Sequence, residues 1–377
     1  MVPGRDRPQF NAATPIVYLN TYRCTVVGQA IAALKQDHQQ GEKIVLQGPD
    51  FLSDVDEDPT DLRGLGEAFL VNQNMSVIEM NTVLITNDLA DELVKAFRNN
   101  PRIVELHLFR CTLEIGVAEK LSLAISMLRS LETFFCGCKN IIGEDLAFLQ
   151  DGARKAKIKK FDLSFTSVSD KNASIAMGRL IGKNSNLSTL LMKKTRFSSY
   201  SSLVLGRSVA FSQQLVTISL FNCELRDKGA VILSRSLLSD DFRCPTRNFK
   251  LWVAFCSIGN VGAIALANLL KKNASIRSLG IRGNFMDTVG FKAICASILE
   301  HDAIDYLSVR FLNNVGVMGI NALALMLLDT RALRDIWMTS GGYYSHRTEE
   351  RLSLAEIESM QEVMEKRTGI KFGQKDN

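Results

Sequence analysis

Residues 103–131 decide the fold. They read Ile103-x-x-Leu106-x-Leu108-x-x-Cys111-x-Leu113, continue through Leu121, Ile125 and Leu128, and begin the same pattern again at Leu131. The first part alternates with the period of a strand, whose successive side chains point to opposite faces. The second part is spaced like one apolar face of a helix.

Working outward, the same unit starts at 41, 75, 103, 131, 158, 187, 215, 248, 276, 304 and 333. Eight of the ten intervals lie within one residue of 28, a register that chance does not keep. The paired apolar residues are Ile44/Leu46, Ile78/Met80, Leu106/Leu108, Phe134/Cys136, Phe161/Leu163, Leu190/Met192, Ile218/Leu220, Leu251/Val253, Leu279/Ile281, Leu307/Val309 and Ile336/Met338. Three residues after the second member stands Cys111, Thr166, Thr195, Cys223, Cys256 or Asn284, a small or polar group able to bond backbone where the chain turns inward. Each unit's second half is helical: Gly229, Gly262, Gly290 and Gly319 each open an i, i+4, i+8 row that continues with Leu or Ile. Asn99-Asn100-Pro101, Asn184 and Asn273 mark helix exits.

The string L-x-x-L-x-L-x-x-(N/C)-x-L with its helical return resembles a leucine-rich repeat of the ribonuclease-inhibitor type, over about residues 41–345. Lys139 departs from the Asn/Cys position, and the 304 unit carries an extra residue near Asn313–Asn314. The resemblance implies an α/β leucine-rich-repeat solenoid, a horseshoe with parallel strands on the concave face and helices on the convex face. Strands stack about 4.8 Å apart and helices about 8–10 Å, so eleven units give an inner arc near 50 Å and an outer arc near 100 Å as order-of-magnitude figures. Residues 1–15 read as disordered. Residues 16–40 read as an N-terminal capping helix, with Val26, Val27, Ala30, Ile31 and Leu34 on one stripe. Residues 346–377 read as a C-terminal capping helix and tail, with Leu352, Leu354, Ile357, Met360, Val363 and Met364 apolar.

The residue between the paired core positions projects into the concave face, as does the residue after the second. Large aromatics fall at five such positions: Phe109, Phe135, Phe221, Trp252 and Trp337. Aromatic and Arg side chains dominate interface energetics, so these rings, with Lys193, Lys194, Arg282 and Arg310, form the expected partner-binding set. Arg154, Lys155, Lys157, Lys159 and Lys160 add a basic run before one strand, and Arg196 stands close to Lys193 and Lys194. Such charge steers an acidic partner protein; an RNA reading would use Phe165 and Phe221 for stacking. The bland alternatives are rings packed on one another and a solvated basic rim.

Several chemical motifs fail. Gly178 to Asn184 is one residue short of a P-loop and lies in a convex helix. Asp54-x-Asp56-x-Asp58 lacks the Gly and Glu of a calcium loop. Cys136-x-Cys138 has no second pair for zinc. His107, with Glu105 and Glu79 on the same face, is a surface pair rather than an acid–base couple. No catalytic residue, metal or cofactor is expected. The insertion Ser239–Asn248 reads as a loop.

Over 377 residues, 46% hydrophobic and with a net charge of +5, the composition supplies a large core and argues little for nucleic acid. No apolar run is long enough to span a bilayer, and MVPGRDRPQFNAATP is no secretory signal. Eight cysteines without disulfide spacing suit a reducing, cytoplasmic setting. The resemblance implies a non-catalytic protein-binding scaffold. Its members inhibit ribonucleases, sense ligands, organise cytoskeletal or axonemal complexes, or act as pathogen effectors delivered to a host cytosol. With no attached nucleotide-binding domain, an immune-sensor architecture is not expected. One branch activates a small nuclear GTPase; the long acidic tail expected there is missing, which leaves a GTPase-activating protein as the alternative.

Overall fold

The computed structural model describes residues 16–20, 43–47, 64, 66–68, 75–100, 102–138, 141, 143–183, 186–238, 248–310, 312, 314–330, 332–337, 362, 365–366 and 371–372. The chain divides into two compact units, residues 1–162 and 163–377.

In the first unit, strands β1 (Ile16–Asn20), β2 (Lys43–Gln47), β3 (Val77–Asn81), β5 (Glu105–Phe109), β7 (Thr133–Gly137) and β8 (Lys160–Asp162) pair in parallel, each with the next. The short β4 (Leu84–Ile85) and β6 (Thr112–Leu113) pair separately. Helices α1 (Asn87–Asn99), α2 (Val117–Met127) and α3 (Gly143–Ala156) pack side by side. The second unit repeats the plan with β9 (Thr189–Leu191), β10 (Thr217–Ser219), β11 (Phe249–Trp252), β12 (Ile276–Gly280), β13 (Tyr306–Ser308), β14 (Asp335–Trp337) and β15 (Lys371–Phe372). Its helices, α4 (Lys171–Lys183), α5 (Ser199–Phe211), α6 (Arg226–Leu237), α7 (Asn260–Lys272), α8 (Thr288–Leu299) and α9 (Val317–Asp329), stack in chain order.

Register follows the apolar pair. Ile44, Ile78, Leu106, Phe134 and Phe161 align across the strands of the first unit, and Leu190, Ile218, Leu251, Leu279, Leu307 and Ile336 across those of the second. All are fully buried. Burying one such side chain stabilises by about 1.5–3 kcal/mol, so a one-residue slip that turned the row outward is strongly disfavoured.

One expectation is corrected. The capping helix read over residues 16–40 does not begin at Ile16, because Ile16–Asn20 is a strand aligned with Lys43–Gln47. Val17 and Leu19 sit opposite Ile44 and Leu46, so they are one more copy of the apolar pair, and β-branched Ile16 and Val17 with Tyr18 suit a strand. The rest of that stretch lies outside the described residues, as do residues 1–15, Asp54–Asp58, Lys139 and most of Ser239–Asn248 and 346–377. Within the last, residues 362, 365 and 366 are helical and Lys371–Phe372 forms β15.

One to three residues past the end of the strand, a residue adopts positive φ: Thr82, Phe165, Lys194, Asn222 and Phe255, between 54° and 68°, and Gly283 at 65°. That turn keeps the ladder going. Their N–H groups donate to the following rung at Phe109, Lys193, Phe221, Ala254, Arg282 and Arg310, at 2.7–2.9 Å. The chain then turns inward, and the small polar residue satisfies the carbonyls left behind. Cys111 Sγ donates to Met80 O, Cys223 Sγ to Met192 O at 2.7 Å, and Cys256 Sγ to Leu220 O at 2.8 Å. Thr166 and Thr195 both donate to Leu163 O. Asn284 does most: Nδ2 donates to Val253 O and Ile281 O, while Oδ1 accepts from the N–H groups of Cys256 and Ile258.

The opening glycines of the helical rows also have a cause. Asp227 Oδ1 accepts from Gly259 N and Gly262 N at 2.7 and 2.8 Å, and Asn260 Oδ1 accepts from Asp287 N and Gly290 N at 3.0 and 3.1 Å. In these two repeats a side chain thus caps the helix of the next. A Cβ at Gly262 or Gly290 would meet those oxygens at 2.7 Å.

Asn284→Leu leaves two buried N–H groups without their acceptor and is expected to cost about 2–5 kcal/mol, read from denaturant unfolding. Burial also pushes the thiols of Cys111, Cys223 and Cys295 up to about 12. Cys111, Cys136, Cys138, Cys223, Cys256 and Cys295 are therefore expected to resist iodoacetamide in the native protein and to label on unfolding, as peptide mass spectrometry would show.

Candidate functional site

Alternation leaves one face of each strand uncommitted to the core. In the first unit this face carries Glu79, His107 and Phe135 in one row and Asn81, Phe109 and Gly137 in the next. Charges there are matched. Lys43 Nζ lies 2.8 Å from Glu79 Oε2, and Asn81 donates to Glu79 Oε1. His107 Nε2 lies 3.0 Å from Glu105 Oε2. Burial tends to raise the Glu79 carboxyl, but the bonds from Lys43 and Asn81 outweigh it and hold it below its ordinary value. Contact with His107 likewise holds Glu105 low against burial.

Two of the five rings expected on the outward face lie against each other. Phe109 and Phe135 stack with centroids 4.2 Å apart. Phe135 also lies over Gly137, where a Cβ would meet its ring at 2.6 Å. It is only 7% exposed, so it supports Phe109 rather than offering a surface. The basic run before β8 is partly neutralised: Arg154 and Lys155 pair with Asp151, one helical turn away, and Lys159 pairs with Glu132.

The second unit's strand face is different. Its large side chains lean over small ones. Trp252 lies across Gly280 on the next rung, where a Cβ would come within 2.2 Å of the ring. Beyond Gly280 it meets Tyr306, centroids 5.4 Å apart, and Tyr306 stands 6.4 Å from Trp337. Phe221 and Phe255 meet at 5.2 Å. The floor beneath consists of buried Ala254, Ser278, Gly280 and Ser308.

Every expected cation of this unit lies over a ring. Arg310 is 5.2 Å from the Trp337 centroid, Lys193 is 5.2 Å and Arg282 5.3 Å from Phe221, Arg282 is 5.8 Å from Phe255, and Lys194 is 5.8 Å from Phe165. The ring quadrupole attracts and orients the cation without cancelling its charge. Among the described residues, the outward positions of β9–β14 and those that follow them include Lys193, Lys250, Arg282 and Arg310 against the single acid Asp335. Tyr306 and Phe255 were not among the expected residues. Tyr306 was legible, since the residue two before the central outward position shares its face. Phe255 was not, because its display depends on positive φ.

Among the described residues no group of His, Cys, Asp and Glu is arranged to hold a metal ion, and no helix is long and apolar enough to cross a membrane. Gly178–Lys183 lies within α4.

Parallel strands, one helix per return and a side-chain ladder at each inward turn define a leucine-rich-repeat protein. Comparison with known proteins finds it similar to ribonuclease inhibitors and to NACHT, LRR and PYD domains-containing proteins. The chain is 26% identical to the ribonuclease inhibitor of Mus musculus over 211 residues, 55% of this chain and 44% of that protein. It is 24% identical to the human NACHT, LRR and PYD domains-containing protein 14 over 237 residues, 62% of this chain and 19% of that protein. The ribonuclease inhibitor of Sus scrofa is 25% identical over 186 residues, 49% and 40% of the two chains. The chain therefore spans less than half the length of each of these relatives. No family model matches it.

Because Glu79 is held low in the folded state, its stabilising contribution is present above the ordinary carboxylate value of 4.5 and is lost as pH falls through the folded value. Glu79→Gln is expected to unfold at lower denaturant than the parent at pH 7, with the gap narrowing as pH falls below 4.5.

Proposed function

We propose that this chain is a non-catalytic scaffold that binds a partner protein through the strand face of its second unit. The observation that carries this reading is the set Phe221, Trp252, Tyr306, Trp337, Arg282 and Arg310, gathered on positions that the core does not use. The buried apolar row and the inward-turning residue already complete each rung, so nothing in the packing requires tryptophan or arginine on the other side. Aromatic rings and guanidinium groups in a partly desolvated cluster are the usual centre of a protein interface. Four basic side chains against one acid give this face a positive field, which supports a partner with a negative surface. That two of the similar proteins are named as inhibitors supports a binding role as well.

Affinity capture with the full chain, followed by quantitative mass spectrometry, tests the reading. Trp252→Ala and Phe221→Ala are expected to lose the captured partner, by on the order of 2 kcal/mol or about thirtyfold in Kd, with the circular-dichroism melt nearly unchanged. Undiminished capture by both variants would refute it, and acceleration of GTP hydrolysis on a small GTPase would favour the activator alternative. Association with the captured partner should slow as salt rises from 50 to 300 mM, or about twofold in Debye length.

A further inference from the structure

The helices of the second unit carry another surface, on the side that neither the sheet nor a neighbouring helix covers. A helix packed on one side turns positions i, i+3, i+7 and i+10 to solvent. On α1, counted from its second residue, those positions hold Asp88, Asp91, Lys95 and Arg98, all charged and exposed. The same count on α7, α8 and α9 starts at Val261, Val289 and Met318, each one residue before the glycine that opens its apolar row. All twelve positions are exposed, yet eight are apolar, Leu299, Leu325 and Leu328 among them. Val261, Val289, Met318 and Leu325 are 59–62% exposed, so their burial energy is not used within the chain. The bare Gly290 lets α8 lie against α7, since a Cβ there would meet that of Ala263 at 2.9 Å, and α9 packs on α8 in turn, so the three faces form one surface. Of the twelve positions only Lys271 and Lys292 are charged, and Lys271 pairs with Glu300 at 3.0 Å. Beyond α7 the charges return, with Lys228 and Arg235 exposed on α6.

We propose that this face is a homodimer interface, in which α7–α9 of one chain pack against α7–α9 of a second copy about a two-fold axis. Area and charge together choose a second copy over another protein. Three helices of this length, about 8–10 Å apart, cover a flat footprint of roughly 500–600 Å². That matches the largest apolar patches of ordinary monomers, about 300–600 Å². With the corrugation of the side chains it approaches the roughly 800 Å² that each partner buries in a stable interface. A two-fold axis sets a surface on itself, so every charge meets its own kind at a cost. A face this poor in charge escapes that cost, and it offers a charged partner little to recognise. The strand face lies on the other side of the sheet, so the dimer leaves it open, and this inference stands apart from the binding role above.

Sedimentation velocity of the full chain tests the interface, over about 1–200 µM to span micromolar dissociation constants. The expected result is a shift from 41.8 kDa to twice that mass. Val289→Glu/Leu325→Glu, at exposed positions, is expected to keep the circular-dichroism melt and to weaken the dimer at least thirtyfold. Trp252→Ala should leave the dimer unchanged. Because the contact is apolar, raising salt to about 1 M should not weaken it. Ala296→Cys, in the middle of α8, gives a second reading that does not depend on the folding of the Glu variant. A small photoreactive diazirine attached there is expected to join two chains, with the products mapped to α7–α9 by peptide mass spectrometry. A 41.8 kDa species throughout the range would overturn the proposal, as would a dimer that a folded Glu variant retains. Attachment of the diazirine to residues 346–377 of its own chain would show the face covered from within and overturn it. Binding of a monomeric parent to phosphatidylcholine vesicles, lost in the Glu variant, would assign the face to a lipid surface and overturn it as well.

Discussion

Each rung of this protein satisfies its backbone through its neighbour, and most other features follow from that dependence. A strand of three to five residues cannot bury its apolar row or pair its amides alone. Parallel register solves both needs at once. The apolar rows line up, and the N–H ladder continues past the end of the strand through a left-handed turn. The chain then dives inward, and Cys, Thr or Asn side chains collect the carbonyls exposed by that dive. These residue types look interchangeable in sequence because each offers one donor of suitable reach. Asn284 adds an acceptor and so bonds four backbone groups where a thiol bonds one or two.

The backbone fixes the spacing of the outward side chains, and their chemistry is then set locally. On the first unit's face, opposite charges sit against each other and a phenylalanine pair closes over a glycine. On the second unit's face, large rings lie across small neighbours, and cations lie on the rings. The first arrangement largely satisfies itself. The second holds cations against ring faces, an attraction of a different kind from the ion pairs of the first.

Much of this was legible in the residues. The interval near 28 and the apolar pairs gave register, burial and the identity of the inward-turning groups, because core packing leaves little freedom there. Val17 and Leu19 were harder to see. Their pair falls 27 residues before Ile44 and Leu46, but the stripe from Val26 to Leu34 invites a helix that starts too early. Phe135 shows the opposite difficulty. Alternation places it on the outward face correctly, yet only the ring of Phe109 and the bare backbone of Gly137 decide that it is covered. Tyr306 lay one column away from those first read, and Phe255 occupied a turn whose backbone angle no apolar pattern reports.

The left-handed residue after the strands has an evolutionary consequence. Among Thr82, Phe165, Lys194, Asn222, Phe255 and Gly283, only the last has the residue type that tolerates such angles freely. Each of the others carries about 1 kcal/mol of backbone strain. Substituting glycine along that column would relax the chain while erasing the rings and ammonium group displayed there. Selection for thermal resistance and selection for recognition would thus pull the same few codons in opposite directions. Laboratory stabilisation by consensus would trim away those side chains first.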